Sequence, residues 1–273
     1  MQASKQSFSS MLVKNDPELA KTVRDTIVPQ MNSQLTQKNL DLPKVLNLLH
    51  EFERKLRLVS IDMTSEDSTT LSFLFKNFVN TIFDIKKYSV SLEQLEYFSK
   101  KKHNSRQSLE CYVNTVASRV DEISNKKEQV DFMLKFVELT DGKIFAEVER
   151  TQIVSKLVEI YESQNELALA HALIIQTHVE TYGSLDFSAK TKFLLNQMRL
   201  CLACNDYSRL ELISKKVNQK FLNELENETH LLTFYDYMVK YHIEQQNFAN
   251  AGKCFQSLLK CSSVTSDLEK KTK

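Results

Sequence analysis

The sequence has few of the residues that interrupt helices. Only three of its 273 residues are glycine and three are proline, and tryptophan does not occur. All three prolines, Pro17, Pro29 and Pro43, lie in the first 43 residues. Because proline and glycine are the residues that most disfavour a helix interior, this scarcity favours an all-helical chain. Three scattered glycines also exclude a glycine-rich phosphate-binding loop, and no GxSxG motif of serine hydrolases occurs.

A strong net charge and a long hydrophobic run are missing as well. Lysine and arginine number 36 against 35 aspartates and glutamates, which gives a formal net charge of +1. No overall field attracts nucleic acid or anionic lipid, so neither is expected as a principal partner. No 18 consecutive residues are apolar, and the first residues lack the apolar run of a signal peptide. We therefore expect a soluble, intracellular protein.

The sequence also lacks a complete set of metal-binding or catalytic residues. Its five cysteines are odd in number and widely spaced, unlike a disulfide framework, so we expect reduced thiols. Cys201 and Cys204 form one CxxC pair, but no second pair and no HExxH motif accompany it. We interpret Cys201 as a core cysteine and expect no cofactor and no metal. A thiol- or metal-dependent hydrolase that uses Cys201, Cys204 and a histidine is the enzyme alternative.

A packed helical core is predicted over most of the chain. Hydrophobic residues make up 42% and charged residues 26%, which is ordinary globular usage. Apolar residues recur in steps of three and four from residue 40 onward and predict a first helix that ends near Val59, and the apolar segment 71–85 predicts a buried helix. Residues 1–38 are polar and show no helical period, so we expect a weakly ordered arm, and residues 262–273 form a polar tail.

Polar breaks recur at a regular interval in the second half. Glu166, Asp206 and Asn247 each lie in such a break, at separations of 40 and 41 residues. Two further steps of 40 lead back to the breaks at 124–127 and 86–87. We therefore predict an all-α fold, an α-solenoid of stacked two-helix (TPR-like) repeats over residues 39–261 with a period of about 40 residues.

Apolar stripes flank these breaks and are interpreted as core. The three stripes are Phe187, Leu194, Met198, Cys201 and Leu202; Leu210, Ile213, Val217 and Phe221; and Phe248, Ala251, Gly252, Phe255 and Leu258. Leu194→Asp and Phe255→Asp are therefore expected to be destabilising, because each would bury an unpaired charge. The segment 167–175 is apolar nearly all round, which predicts a helix between neighbours.

Two kinds of charged cluster are candidate partner contacts. Glu147, Glu149 and Arg150 fall on a predicted first helical turn, where favourable interactions with the helix dipole and i, i+3 ion pairs explain them equally well. The basic runs are Lys100, Lys101 and Lys102, and Lys215 and Lys216. Either run could bind an acidic surface of a partner, and solvated helix ends are the alternative explanation.

Four sequence blocks carry a family resemblance. They are GKIFAEVER at 142–150, VETYGS at 179–184, QMRLCLA at 197–203 and ISKKV at 213–217. In this order they resemble the PCI family, and within it the branch of 26S proteasome lid subunits called non-ATPase subunit five or subunit twelve. Similarity extends over roughly residues 41–259. The winged-helix part of the family has no counterpart here, so we expect a short subunit, a split product or a fragment.

The resemblance implies a non-catalytic scaffold that is cytoplasmic and nuclear. Its implied partners, in a hetero-oligomer, are other lid subunits, the deubiquitinase module and the outer ring of the core particle. Tyr182 and Arg199 are matched positions, together with the three residues of the EVER block. A paralogous PCI complex such as the signalosome is the alternative assembly, and a truncated member that acts outside the full lid is another.

Overall fold

The structure is a computed structural model that describes residues 42–59, 65–101, 105–259 and 261, and four isolated residues nearer the N-terminus. These four, Lys21, Asp25, Pro29 and Ser33, have helical backbone. The rest of the predicted arm at 1–38 and the predicted tail at 262–273 lie outside the described residues. The predicted domain boundaries therefore stay predictions.

Every regular element among the described residues is a helix, which confirms the predicted all-α class. The α-helices that we number are α1 (Leu42–Val59), α2 (Ser65–Asp84), α3 (Tyr88–Ser99), α4 (Arg106–Arg119), α5 (Lys126–Leu139), α6 (Glu147–Ser163), α7 (Leu167–Ile175), α8 (Phe187–Ala203), α9 (Tyr207–Ser214), α10 (Gln219–Leu222), α11 (Glu228–Glu244) and α12 (Phe248–Leu259). Short 3₁₀ helices occupy Val120–Glu122, Ile144–Ala146, Val179–Thr181 and Leu225–Asn227.

The chain divides into two compact units, of which the first spans Met1–Arg150. Here α2 packs along α4 and α3 packs along α5, while α3 also contacts α2 and α4. Helices two apart in sequence are thus neighbours, as in stacked helix pairs. An aromatic cluster of Phe75, Phe98 and Tyr112 fills the centre, with ring centroids 4.8–6.4 Å apart. The buried hydroxyl of Tyr112 donates a hydrogen bond of 2.8 Å to the Ser91 carbonyl, which satisfies it.

The second unit spans Thr151–Lys273 and packs mainly through helices that are consecutive in sequence. Helix α8 contacts α7, α9 and α11, and α11 packs against α12. The buried face of α8 includes Leu194, Met198 and Cys201, as its predicted apolar stripe requires. Leu210, Ile213 and Val217 of the next stripe are buried too.

Four of the five predicted breaks share one turn geometry. Lys86, Asn165, Asn205 and Gln246 have φ between 54° and 59°, in the left-handed region. The residue that follows each of them donates its N–H to the carbonyl of the residue five positions before it, as Asp206 does to Cys201, at distances of 2.8–3.1 Å. This bond closes the end of the preceding helix and lets the chain reverse within about three residues. The fifth break instead uses the 3₁₀ helix Val120–Glu122, and the Asn125 side chain caps α5 by accepting a bond of 3.1 Å from the Lys127 N–H.

Two predictions about the core are wrong. Phe187, Phe248 and Phe255 were predicted to be buried, but 59%, 68% and 49% of their surfaces are exposed. Because Phe255 is exposed, the Phe255→Asp variant would not bury a charge, and the destabilisation predicted on that ground is not expected. Helix α7 does not lie between neighbours on all sides: Ala170 and Ile174 are buried, whereas Leu169 is exposed. Periodicity identifies an apolar face, but it does not show whether a neighbour covers that face.

Candidate interaction surfaces

The EVER block is buried at the start of α6. Glu147 and Glu149 are each 8% exposed and Arg150 is 6% exposed. The Asn114 amide of α4 donates a hydrogen bond of 3.2 Å to Glu149 Oε1. In this structure the block fastens α6 to α4 and α5, and little of its surface is free for another chain. A role of these residues in partner contact stays a prediction.

Arg150 closes the C-terminal end of α5. Its Nη1 donates hydrogen bonds to the Val137 carbonyl and, at 3.5 Å, to Thr140 Oγ1, and its Nη2 lies 2.9 Å from Asp141 Oδ1. The last carbonyls of a helix are unpaired and carry partial negative charge, so a buried cation is stabilised there. The positive charge of Arg150 is therefore balanced by groups of the first unit itself.

Arg199 of α8 forms a forked ion pair in the second unit. Its Nη1 and Nη2 lie 2.6 Å and 2.9 Å from the two carboxylate oxygens of Glu162. Hydrogen bonding to Glu162 raises the pKa of Arg199 above its ordinary value. Tyr182 is half-buried and follows the 3₁₀ helix Val179–Thr181. Neither position is freely solvent-exposed, and their contact with partners stays a prediction.

The basic runs lie on the surface. Lys100 and Lys215 are exposed and pair with glutamates one turn earlier, Glu96 at 2.6 Å and Glu211 at 2.7 Å. Lys216 bridges to Glu180 at 2.6 Å. The half-buried Lys101 lies 4.4 Å from the centre of the Tyr97 ring. The fifth lysine of the prediction, Lys102, lies outside the described residues.

The CxxC pair lies beside a histidine and an aspartate. Cys201 Sγ is 3.6 Å from His171 Nε2, which in turn is 3.5 Å from Asp206 Oδ2. Burial raises the pKa of Cys201 to about 12, and the Asp206 charge adds to this effect. Burial also lowers the pKa of His171. A thiol of this kind is a poor nucleophile at neutral pH, so the geometry does not favour the thiol hydrolase alternative.

No set of three or more metal-ligating side chains that could hold an ion occurs in the part of the chain that the structure describes. Within the same part, none of the helices combines the length and the apolar character needed to cross a bilayer.

Helix α12 has an exposed apolar stripe that the sequence interpretation missed. Phe248, Gly252, Phe255 and Leu259 are all exposed, at spacings of four, three and four residues. They therefore share one face. Ala251 on another face is buried against α11. The signal was present in the sequence, because a helix with apolar residues on two faces needs two neighbours.

A family model decides the relationship of the chain. The model described as PSMD12/CSN4, N-terminal, matches residues 44–267. The chain belongs to this family. The match includes all four sequence blocks of the predicted resemblance and helices α2–α12, and it confirms that resemblance.

Three curated relatives agree with this assignment. The 26S proteasome non-ATPase regulatory subunit 12 of Dictyostelium discoideum is 26% identical over 94% of this chain. The 26S proteasome regulatory subunit rpn501 of Schizosaccharomyces pombe is 27% identical over 85% of it. The 26S proteasome regulatory subunit RPN5 of Saccharomyces cerevisiae is 26% identical over 93%. The chain spans 58%, 51% and 56% of the lengths of these relatives, respectively.

Proposed function

We propose that this chain is a non-catalytic scaffold subunit of the 26S proteasome regulatory-particle lid. The observation that carries the proposal is the family match over residues 44–267, together with relatives that are named as proteasome regulatory subunits. The helical-repeat fold supports it, because stacked helix pairs present long surfaces to several partners. In this role the chain holds neighbouring lid subunits, the deubiquitinase module and the outer ring of the core particle at fixed positions for ubiquitin-dependent degradation.

The site chemistry is compatible with a positional role. The two CxxC thiols have pKa values raised by burial, and the basic runs are mostly engaged in ion pairs with neighbouring acids. We propose the exposed lysines Lys100, Lys215 and Lys216 as partner contacts, since an acidic surface of a partner can replace the exposed glutamates Glu96 and Glu211 at little cost and can add to the half-buried Glu180. A cytoplasmic and nuclear location follows from the proposed assembly.

Affinity purification of the tagged chain from its own cells tests the proposal. We expect proteasome regulatory-particle subunits to be recovered in comparable amounts and to migrate with the chain on native gels. The family description also names CSN4, so recovery of signalosome subunits in place of proteasome subunits would reassign the chain to that complex. Migration as a free monomer with neither set of subunits would contradict both assignments.

A charge-reversal variant tests the proposed contacts. In Lys215→Glu/Lys216→Glu we expect recovery of at least one proteasome subunit to fall several-fold while the free chain keeps its melting temperature. Lys240→Glu, at the exposed Asp236–Lys240 pair, provides a control with charge reversal of the same sign elsewhere on the second unit. Equal recovery from both variants would remove the two lysines from the interface.

A further inference from the structure

Four lysines lie together at one edge of the first unit. Lys86 and Lys87 form the turn between α2 and α3, and Lys126 and Lys127 begin α5, one repeat of 40 residues later. All four are exposed. Because α2 packs along α4 and α3 packs along α5, the two lysine pairs are separated by about one interhelical distance, roughly 10 Å.

A hydrogen-bonded bridge places both turns at the same edge. Arg119, the last residue of α4, donates to the Asn80 carbonyl near the end of α2 at 2.7 Å. It also binds Asp84 at 2.7 Å and Glu122 at 2.5 Å. The bridge therefore joins the end of α2 to the end of α4, and it engages two of the carboxylates nearest the lysines.

The four lysine side chains have no hydrogen bond or ion pair within the described ranges 42–59, 65–101 and 105–259. Other exposed lysines of the chain, such as Lys55 and Lys240, pair with an acid one helical turn away. Beside the two carboxylates held by Arg119, the acids in these turns are Asp121 and the α5 first-turn residue Glu128. Cations are thus in excess at this edge.

The position of these lysines is unfavourable for the fold itself. Lys87 is the N-cap residue of α3, and Lys126 and Lys127 are the first two residues of α5. A helix N-terminus carries partial positive charge, so a lysine there lowers helix stability. The α3 N-terminus also lacks a side-chain cap, which leaves first-turn N–H groups for an external acceptor. Helix stability therefore does not account for Lys87, Lys126 and Lys127, and Lys86 occupies a left-handed turn position that lysine does not favour.

We propose that this edge, formed by Lys86, Lys87, Lys126 and Lys127, binds an acidic segment of a partner protein. The excess of cations and the uncapped N-terminus of α3 select a chain that carries carboxylates. A separation of roughly 10 Å corresponds to about one turn, or three residues, of a polyproline II helix, in which every third side chain lies on the same face, so acidic side chains at every third position match the two lysine pairs. The inference goes beyond the proposed function, since it requires no particular complex.

A peptide-binding measurement with the full-length chain tests the proposal. The probe is a fluorescein-labelled peptide of about nine residues with glutamate at every third position and glycine and serine between. We expect saturable binding by fluorescence anisotropy at low salt, weakened by added salt because exposed charges are screened. We expect Lys86→Gln/Lys87→Gln/Lys126→Gln/Lys127→Gln to weaken binding at least tenfold.

The matched control variant is Lys44→Gln/Lys192→Gln/Lys220→Gln/Lys253→Gln, which removes the same charge from exposed lysines elsewhere. We expect it to stay within twofold of the unchanged protein. Equal losses in the two variants, or no binding by the unchanged protein, would overturn the proposal. Tighter binding of a single-stranded oligonucleotide with the same lysine dependence would overturn it in favour of a phosphate-binding edge.

A melting curve separates binding from folding. If the four lysines serve only a partner, the quadruple variant keeps its melting temperature or gains in it, because the unfavourable dipole interactions of Lys87, Lys126 and Lys127 are removed. A lower melting temperature would assign the lysines to the fold and contradict the proposal. Because the assay uses only this chain and a synthetic peptide, its outcome is independent of whether proteasome subunits are recovered from cells.

Discussion

At the scale of single residues, burial of charge distinguishes structural from accessible positions. Arg150 is charged yet 6% exposed, and its hydrogen bonds reach the Val137 carbonyl and the Thr140 hydroxyl. Arg106 also forms an ion pair, with Glu110 at 2.7 Å, but at 60% exposure. Removal of the two side chains should therefore have different costs, because a buried group left unpaired loses its bonds without regaining water.

We predict that Arg150→Met lowers the free energy of unfolding by about 1–3 kcal/mol, the range for charged hydrogen bonds at buried sites. Arg106→Met should cost less than about 1 kcal/mol, as exposed ion pairs do. Urea titrations followed by circular dichroism measure both values. Similar midpoints for the two variants would show that Arg150 does not support the end of α5.

Cys201 should be the least reactive cysteine of the native protein. Its pKa of about 12 means that only about one thiol in ten thousand is ionised at pH 8, and the thiolate is the reacting form. We predict that iodoacetamide at pH 8 modifies the half-buried Cys111 much faster than Cys201, measured by mass spectrometry of peptides. In urea the two rates should converge. Rapid native modification of Cys201 would show that α8 opens readily.

At the scale of elements, the turns set the spacing of the helices. Lys86, Asn165, Asn205 and Gln246 adopt a left-handed backbone that glycine adopts without steric cost. Asparagine tolerates this region better than most residues, whereas lysine and glutamine gain little from it. A substitution of Gln246 by glycine can therefore remove this backbone strain.

We predict that Gln246→Gly raises the free energy of unfolding by up to about 1 kcal/mol, because the left-handed penalty exceeds the entropy cost of glycine. The neighbouring Gln245 has φ of −82°, so Gln245→Gly should be neutral or destabilising. Thermal denaturation of the pair measures the difference. A loss of stability in Gln246→Gly would mean that its side chain stabilises the turn by more than the backbone strain costs.

The turns and the buried stripes illustrate what the sequence predicts well. Polar breaks 40 residues apart located all five turns, since each run of polar residues interrupts an apolar period, and asparagine and aspartate also disfavour helix interiors. Leu194 and Met198 were correctly assigned to the core. Phe187 and Phe255 were wrongly assigned to the core, because the spacing of apolar residues does not depend on whether a neighbouring helix covers them. The burial of Arg150 could not be predicted either. Its side chain binds the Val137 carbonyl and the Thr140 hydroxyl, and no charged residue in the sequence marks these acceptors.

At the scale of the whole molecule, family membership and exposed surface together favour a protein that works by contact. The chain spans about half the length of relatives that are named as proteasome regulatory subunits. Its described surface includes large exposed apolar side chains, of which Phe248 at 68% is the most exposed. Contiguous apolar surface of this kind is uncommon on monomeric proteins and promotes association.

The exposed stripe of α12 should therefore dominate the solution behaviour of the free chain. We predict that Phe248→Ser/Phe255→Ser/Leu259→Ser lowers light scattering and the fluorescence of an apolar-binding dye by at least half, because exposed apolar area is removed. The melting temperature of this variant should change little, since the three side chains are between 49% and 68% exposed. Leu194→Asp is the contrasting variant: it places a charge in the core and should cost more than about 3 kcal/mol. If the triple variant unfolded as readily as Leu194→Asp, the stripe would belong to the core after all, and α12 would need a covered face to fold.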